Sequence, residues 1–254
     1  MLANIPLKNV LFLDIETVPQ VYRFSELSDK AKSLFQLKNR NKFSDLYKEN
    51  KANELDLSDE DLWDKVYQNV SGIQAEFGKI ICISVGFVKE NHTFSEIRLK
   101  SFFHDDEETL LKLFIRLLND NPNFSILCGH NAKEFDFPYI CRRLLINGLN
   151  LPPQLDISGK KPWEIAHIDT MDLWKFGDFK AYTSLSLLCH VFDIPTPKDD
   201  ISGQDVARVY YEENNLLRIK QYCEKDVLAL AQLLLRMKSL PLISDENIHF
   251  SQNT

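Results

Sequence analysis

Apolar and polar positions follow different rhythms along the chain, and the rhythms divide it into strands, helices and one stretch that obeys neither. Residues 9–16 form an apolar run that carries two carboxylates, Leu11-Phe12-Leu13-Asp14-Ile15-Glu16, and read as a first strand. Residues 22–77 change character. Charged residues crowd together there over a weak helical period through Leu27, Ala31, Leu34, Phe35 and Leu37, and Ser58 followed by Asp59, Glu60 and Asp61 has the form of a capped helix start. The acids of this stretch are read as a solvated face. A nearly continuous β-rich run over Lys79–Val88 predicts a central strand, and alternation over Ile97–Phe103 predicts a strand with one drier face. Asp105–Leu118 has the period of an amphipathic helix, with Leu110, Leu111, Phe114, Leu117 and Leu118 on its apolar side.

Phe124–His130 reads as another strand, opening through Asn131 and Phe135 into a helix with Pro138 in its first turn. After a loop over 147–163 come a short strand at His167–Thr170 and helices at Met171–Phe176, Ser184–Phe192, 203–213 and 215–238. The last dozen residues are expected to be loose. This order predicts an α/β fold: a mixed five-stranded sheet with helices on both faces and a mostly helical insertion, 22–77, after the first strand. A single domain over 1–240 and a tail over 241–254 are expected.

Composition narrows the picture further. The 254 residues are 44% apolar and 26% charged, without a low-complexity tract. No apolar run approaches the ~18 residues of a membrane span, and the first eight residues lack the apolar core of a signal peptide. Five cysteines (Cys82, Cys128, Cys141, Cys189 and Cys223) stand in or beside apolar runs without a CxxC pair. They read as reduced, core-filling thiols of a cytoplasmic protein, and their spacing excludes the usual thiolate zinc sites. The net charge of −7 argues against a broad electrostatic grip on duplex phosphates, so any nucleic acid must be held locally, by a few cations or by metal.

The candidate chemistry begins in the first strand. Asp14 and Glu16 are two apart, so on a strand they aim at one spot, and two carboxylates within an apolar strand call for a cation. The spacing alone is common: Asp105/Glu107 and Asp106/Glu108 repeat it at an exposed helix start. Asp136, just past a strand, occupies the kind of strand–helix junction where α/β sheets place ligands, though for an isolated Asp before Phe-Pro a helix N-cap or neighbouring role is the favoured reading. Tyr222 and Asp226 share a helix face, and of eight tyrosines only Tyr222 has an Asp four residues on. A structural contact would explain that pair as well. Four carboxylates without a basic cluster suit Mg²⁺ or Mn²⁺ better than zinc.

Taken together, Phe12-Leu13-Asp14-Ile15-Glu16-Thr17, Gly129-His130-Asn131 with Phe135-Asp136, and Tyr222 with Asp226 resemble the three motifs of the DEDD superfamily of 3′→5′ exonucleases, in its tyrosine branch. The histidine branch would need His where Gln221 stands. Weaker similarity runs through Gly78–Ser84, Ser184–Leu188 and Gly203. The resemblance is to stand-alone relatives of the proofreading exonuclease domain of family-B DNA polymerases. It spans about residues 9–237 apart from 22–77 and leaves no room for a polymerase domain.

The resemblance implies a ribonuclease H-like fold and two-metal hydrolysis, with two Mg²⁺ or Mn²⁺ ions. Asp14 would bridge the ions, Glu16 and Asp226 would complete the first, Asp136 would hold the second, and Tyr222 would orient the attacking water. Thr17, Val18, Asn131 and Phe135 are the expected substrate contacts, with Lys198 a candidate for phosphate. Asp169 and Asp172 read as helix-start residues. The expected partner is nucleic acid with a free 3′ end, single-stranded or frayed, DNA ahead of RNA, and no membrane. The insertion 22–77 is a candidate clamp, dimer contact or partner arm. The competing readings are a non-catalytic nucleic-acid-binding module on the same fold and an RNA 3′-end trimming nuclease.

Overall fold

The computed structural model describes residues 5–90, 95–178, 180–195 and 201–251. Its strands are β1 (Val10–Pro19), β2 (Gly78–Glu90), β3 (Ser95–Phe103), β4 (Ile126–Gly129), β5 (Ile168–Asp169) and β6 (Ile248–Phe250). Its helices are α1 (Asp29–Ala52), α2 (Asp59–Val70), α3 (Glu107–Asp120), α4 (Asp136–Ile146), α5 (Thr170–Lys175), α6 (Leu185–Val191), α7 (Val206–Tyr211) and α8 (Leu216–Met237). The strands make one mixed sheet in the order β5-β4-β1-β2-β3-β6. Pairing is antiparallel between β1, β2 and β3 and parallel from β1 to β4 and from β4 to β5. The expected ribonuclease H-like α/β arrangement is therefore present, with one strand more than the five expected.

That sixth strand corrects the reading of the last dozen residues as loose. Ile248–Phe250 pairs in parallel with Ile97–Leu99 on the outer edge of β3, and Ser251 N–H donates to Leu99 O at 2.8 Å. The approach to it is clamped by the Gln232 side chain, whose amide donates to Ile243 O at 2.8 Å and accepts from Ile243 N–H at 2.9 Å. Three residues are too few to show a period. The open edge of β3, invisible along the chain, is what orders them.

Alternation along β1 sorts its residues between two cores. Phe12 faces α8, where Val227, Leu230, Ala231 and Leu234 pack beside Val88 and Ile97. Leu11, Leu13 and Ile15 face α3 and α4, meeting Leu110, Leu111, Phe114, Phe137 and Ile140. Each fully buried side chain of this size contributes ~1.5–3 kcal/mol, so β1 is anchored on both faces. The register of β1 against β2 slips after Glu16, which lies opposite Cys82, whereas Thr17 lies opposite Ile80.

Glu107, read as part of an exposed helix start, is instead buried at 7% exposure. It accepts from Ile80 N–H at 2.7 Å, from Arg143 Nε at 2.9 Å and from Asn147 Nδ2 at 3.0 Å, while Arg143 Nη1 donates to Ala75 O at 2.7 Å. The two charges tie α3, α4 and β2 together with their hydrogen-bonding capacity in use, the condition under which a buried pair is tolerated.

The insertion is helical and has its own small aromatic core. Phe24, Leu27, Phe35, Val66, Tyr67, Val70 and Phe77 are buried together, and the Phe43 and Trp63 rings stack at 4.2 Å. Ser28 and Ser58 cap α1 and α2 as their sequence suggests. Of the expected apolar face, Leu27 and Phe35 are buried, but Leu34 and Leu37 are 51% and 68% exposed. Ala31 and Phe35, four apart on α1, share one helix face, which a residue one or two positions away leaves, while Leu27 is buried from extended backbone just before the helix. Asn39 interrupts α1 with non-helical backbone, and its amide pairs reciprocally with that of Gln74 at 2.8 and 3.2 Å. Among the described residues no helix is long and apolar enough to cross a membrane.

Candidate active site

β4 accompanies β1 only from Val10 to Phe12, so Asp14 and Glu16 lie beyond its end, where α4 begins. Both project from the β1 face that α8 covers. The Asp14 and Glu16 carboxylates and the Cys223 thiol lie within 4.8 Å of one another. Cys223 Sγ donates toward the main-chain oxygen and Oδ2 of Asp14, each at 3.4 Å. From the other side α4 brings Asp136, whose carboxylate accepts from Ile15 N–H. One position before Cys223 on α8, the Tyr222 hydroxyl hydrogen-bonds the Asp226 carboxylate. Strand, strand–helix junction and late helix thus deliver Asp14, Glu16, Asp136, Tyr222 and Asp226 to one place.

The electrostatics are those of a negative cluster removed from water. Burial raises Asp14 well above the carboxylate range, and the charges of Asp136 and Asp226 push it further. Glu16 is raised likewise by burial, then by Asp14 and Asp226. Burial lifts Asp136 to about 7, although its own N–H and that of Ile15 favour the ionised form. Tyr222 is raised by burial and by the charges of Asp226, Glu16 and Asp14, so its phenol keeps its proton at neutral pH. The Cys223 thiol is pushed up by burial and stays a donor. Like charges held together in a desolvated place are relieved by a cation. An all-oxygen set fits a hard divalent ion, and the protonated thiol supports Asp14 without adding a soft ligand.

The expected substrate contacts fare differently. Phe135 N-caps α4, is half-buried with its ring 5.4 Å from that of Tyr139, and lines a groove that also takes in Glu16 and Thr17. The groove has a volume of about 740 Å³. Thr17 faces α4, and its side chain hydrogen-bonds the Tyr139 phenol. Asn131 has left-handed backbone (φ 60°), its N–H donates to Asp169 Oδ1 at 2.9 Å, and its carbonyl accepts from Phe135 N–H at 3.0 Å. Val18 is a correction: it is fully buried among Ile81, Val206, Val209 and Cys223, so its side chain does not reach the groove. The alternation that aims Asp14 and Glu16 toward α8 carries Val18 under α7. Lys198 lies outside the described residues.

Asp169 is the helix-start residue its sequence suggests. It N-caps α5 through Met171 and Asp172, and it also accepts from Lys133 N–H at 3.0 Å. Asp172 lies in the first turn of α5 and pairs with Lys133 and Lys175. His130, whose basicity burial lowers, is held between Thr170 Oγ1 at 2.9 Å and Thr183 O at 2.8 Å. Two neighbours of the cluster escape sequence reasoning. Cys223, read as core filling, touches Asp14. Glu224, 3% exposed, accepts from Ser101 Oγ and Lys220 Nζ, each at 2.8 Å. The available signal was position, since both stand between Tyr222 and Asp226.

The fold and the cluster define an α/β chain that presents converging carboxylates at the end of a strand, next to an open groove. The family described as "Predicted 3'-5' exonuclease related to the exonuclease domain of PolB" matches residues 72–247, and the chain belongs to that family. The matched segment contains Asp136, Tyr222 and Asp226, while β1, with Asp14 and Glu16, precedes it. In fold the chain is similar to the family B DNA polymerase from the hyperthermophilic archaeon Pyrobaculum calidifontis, with a TM-score of 0.50 and 14% identity. That likeness covers 89% of this chain and 24% of the polymerase chain, so this chain spans about a quarter of the polymerase's length.

Proposed function

We propose that the protein is a metal-dependent 3′→5′ exonuclease that trims single-stranded or frayed DNA and releases 5′-mononucleotides. The observation that carries this reading is the convergence of four carboxylates and one phenol, from three separate elements, in a chain of an exonuclease family. Asp14, which feels the charges of both Asp136 and Asp226, would be the ligand shared by two Mg²⁺ or Mn²⁺ ions. Glu16 and Asp226 would complete one ion and Asp136 the other. Ions bound there supply Lewis-acid stabilisation of the entering and leaving oxygens in an in-line displacement at phosphorus.

The chain's own groups orient and exclude. The Tyr222 hydroxyl, protonated at neutral pH, positions the attacking water and is no general base. The Cys223 thiol holds Asp14 in place through Oδ2. Phe135 offers a ring face to a base, and Thr17 a hydroxyl on the same groove. An acidic chain suits a single strand held by metal and stacking better than a duplex held by its phosphates.

The test is digestion of 5′-labelled single-stranded DNA and RNA of equal sequence with Mg²⁺ or Mn²⁺. A ladder shortening from the 3′ end is expected, faster on DNA. Asp14→Ala should abolish it while the circular dichroism spectrum is unchanged. Intact oligonucleotides with the wild-type protein, or wild-type trimming by the variant, would overturn the reading.

A further inference from the structure

The groove beside Glu16 has two walls of different origin. Thr17 and Phe135 belong to the sheet and α4. Gln68 and Asn69, in the last turn of α2, and Ile73, just beyond it, belong to the helical insertion, and Gln204 adds a third amide ahead of α7. Ile73 is 61% exposed, yet its support is rigid. The carbonyl of neighbouring Gly72 accepts from Tyr139 Oη at 2.7 Å, and Gln74 pairs with Asn39. Gly78 closes this knot: a Cβ there would collide with the Tyr139 hydroxyl and come within 2.7 Å of Gly72 O. An aliphatic side chain is therefore held out over the groove by a braced turn.

Chemistry sets this groove apart from a phosphate track. Among the described residues that line it, Glu16 is the single charged one, and the remainder are amides, a hydroxyl, backbone and apolar groups. Such a surface takes nothing from phosphate neutralisation. It can take base faces by stacking and apolar contact, and base edges by amide hydrogen bonds, which unpaired bases present and a duplex hides. At about 740 Å³ it lies in the upper part of the ~300–1,000 Å³ range that encloses a small-molecule ligand, leaving room beyond one terminal nucleotide.

We infer that the end of α2 and the turn after it form the binding wall for the bases next to the terminal nucleotide. Ile73 packs on a base face, and Gln68, Asn69 and Gln204 bond base edges. The insertion thereby makes the site selective for an unpaired 3′ end. This inference rests on the exonuclease reading.

Two substrates separate the inference from that reading: the p-nitrophenyl ester of thymidine 5′-monophosphate, which engages only the carboxylate end of the groove, and a short single-stranded oligothymidylate. For Ile73→Ser, and separately for Gln68→Ala combined with Asn69→Ala, the KM for the oligonucleotide should rise about tenfold, the scale of losing one base contact. The kcat on the oligonucleotide and the rate on the ester should stay within about twofold. For the wild type, that KM should change less than about threefold from about 50 to about 200 mM salt, as expected when roughly one phosphate is neutralised. Unchanged KM in both variants, or a salt effect above tenfold, overturns the wall. Failure of the wild type on both substrates overturns the exonuclease reading and the wall with it.

Discussion

Asparagine in place of Asp136 should stabilise the protein when divalent cation is withheld and should blunt the stabilisation that cation confers. Asp136 is 4% exposed, and burial lifts its pKa from 3.8 to about 7. The folded chain therefore holds this proton more tightly than the unfolded chain. Stability is intact below the unfolded value and is lost as pH rises from about 4 through about 7. A gap of about 3 units at ~1.4 kcal/mol per unit sets a ceiling of about 4 kcal/mol. Asparagine has the same shape, cannot ionise, and keeps an oxygen for Ile15 N–H, so it should regain roughly 1–4 kcal/mol. For a chain of this size that corresponds to a Tm rise of roughly 3–12 °C. Thermal melts in chelator should show the variant matching the wild type at about pH 3.5, below the unfolded value, and exceeding it at pH 7.5. Adding Mn²⁺ at about a hundred times its Kd should raise the wild type by ~2.7 kcal/mol and the variant by less. A variant no more stable than the wild type in chelator at pH 7.5 would mean that the Asp136 charge is already compensated within the chain, and the case for a cation site would fall.

Tyr222→Phe removes the hydroxyl but no carboxylate, so turnover should fall about 10- to 100-fold while the Mn²⁺-induced rise in Tm persists; loss of that rise would make Tyr222 part of the metal site instead. Glu107→Ala strands the Arg143 guanidinium in the interior and should cost ~3–5 kcal/mol, read as a lower urea midpoint with unchanged slope, whereas a shift under ~0.5 kcal/mol would show that Arg143 finds water or another acceptor.

The carboxylate motif was legible because its setting is improbable: Asp14 and Glu16 interrupt an apolar strand, and Tyr222 and Asp226 share one face of α8. Neighbours that meet through the third dimension were not. Glu107 looked like a helix-start acid because its counter-ion lies 36 residues away on another helix. Ile248–Phe250 acquires strand geometry only from the edge of β3. Val18 was assigned to substrate by its place next to the motif, yet the period-2 rule that unites Asp14 and Glu16 puts it in the core under α7. The groove was hidden for the same reason, since Gln68 and Ile73 approach Glu16 only after some fifty residues of insertion have folded back.

The short reach of β4 has a consequence unrelated to catalysis. From Leu13 onward, among the described residues, one side of β1 has no strand beside it, and the groove runs along that side past Ile15, Thr17 and Pro19. A bare strand margin in an open groove is a template on which a stray extended peptide, or a second copy of the chain, can add itself. The Ile15 N–H on that margin is already taken by the Asp136 carboxylate, and the negative charge gathered there makes the place inhospitable to an incoming apolar strand. On the exonuclease reading, the acidic cluster proposed to hold metal would thus also discourage self-association along this margin.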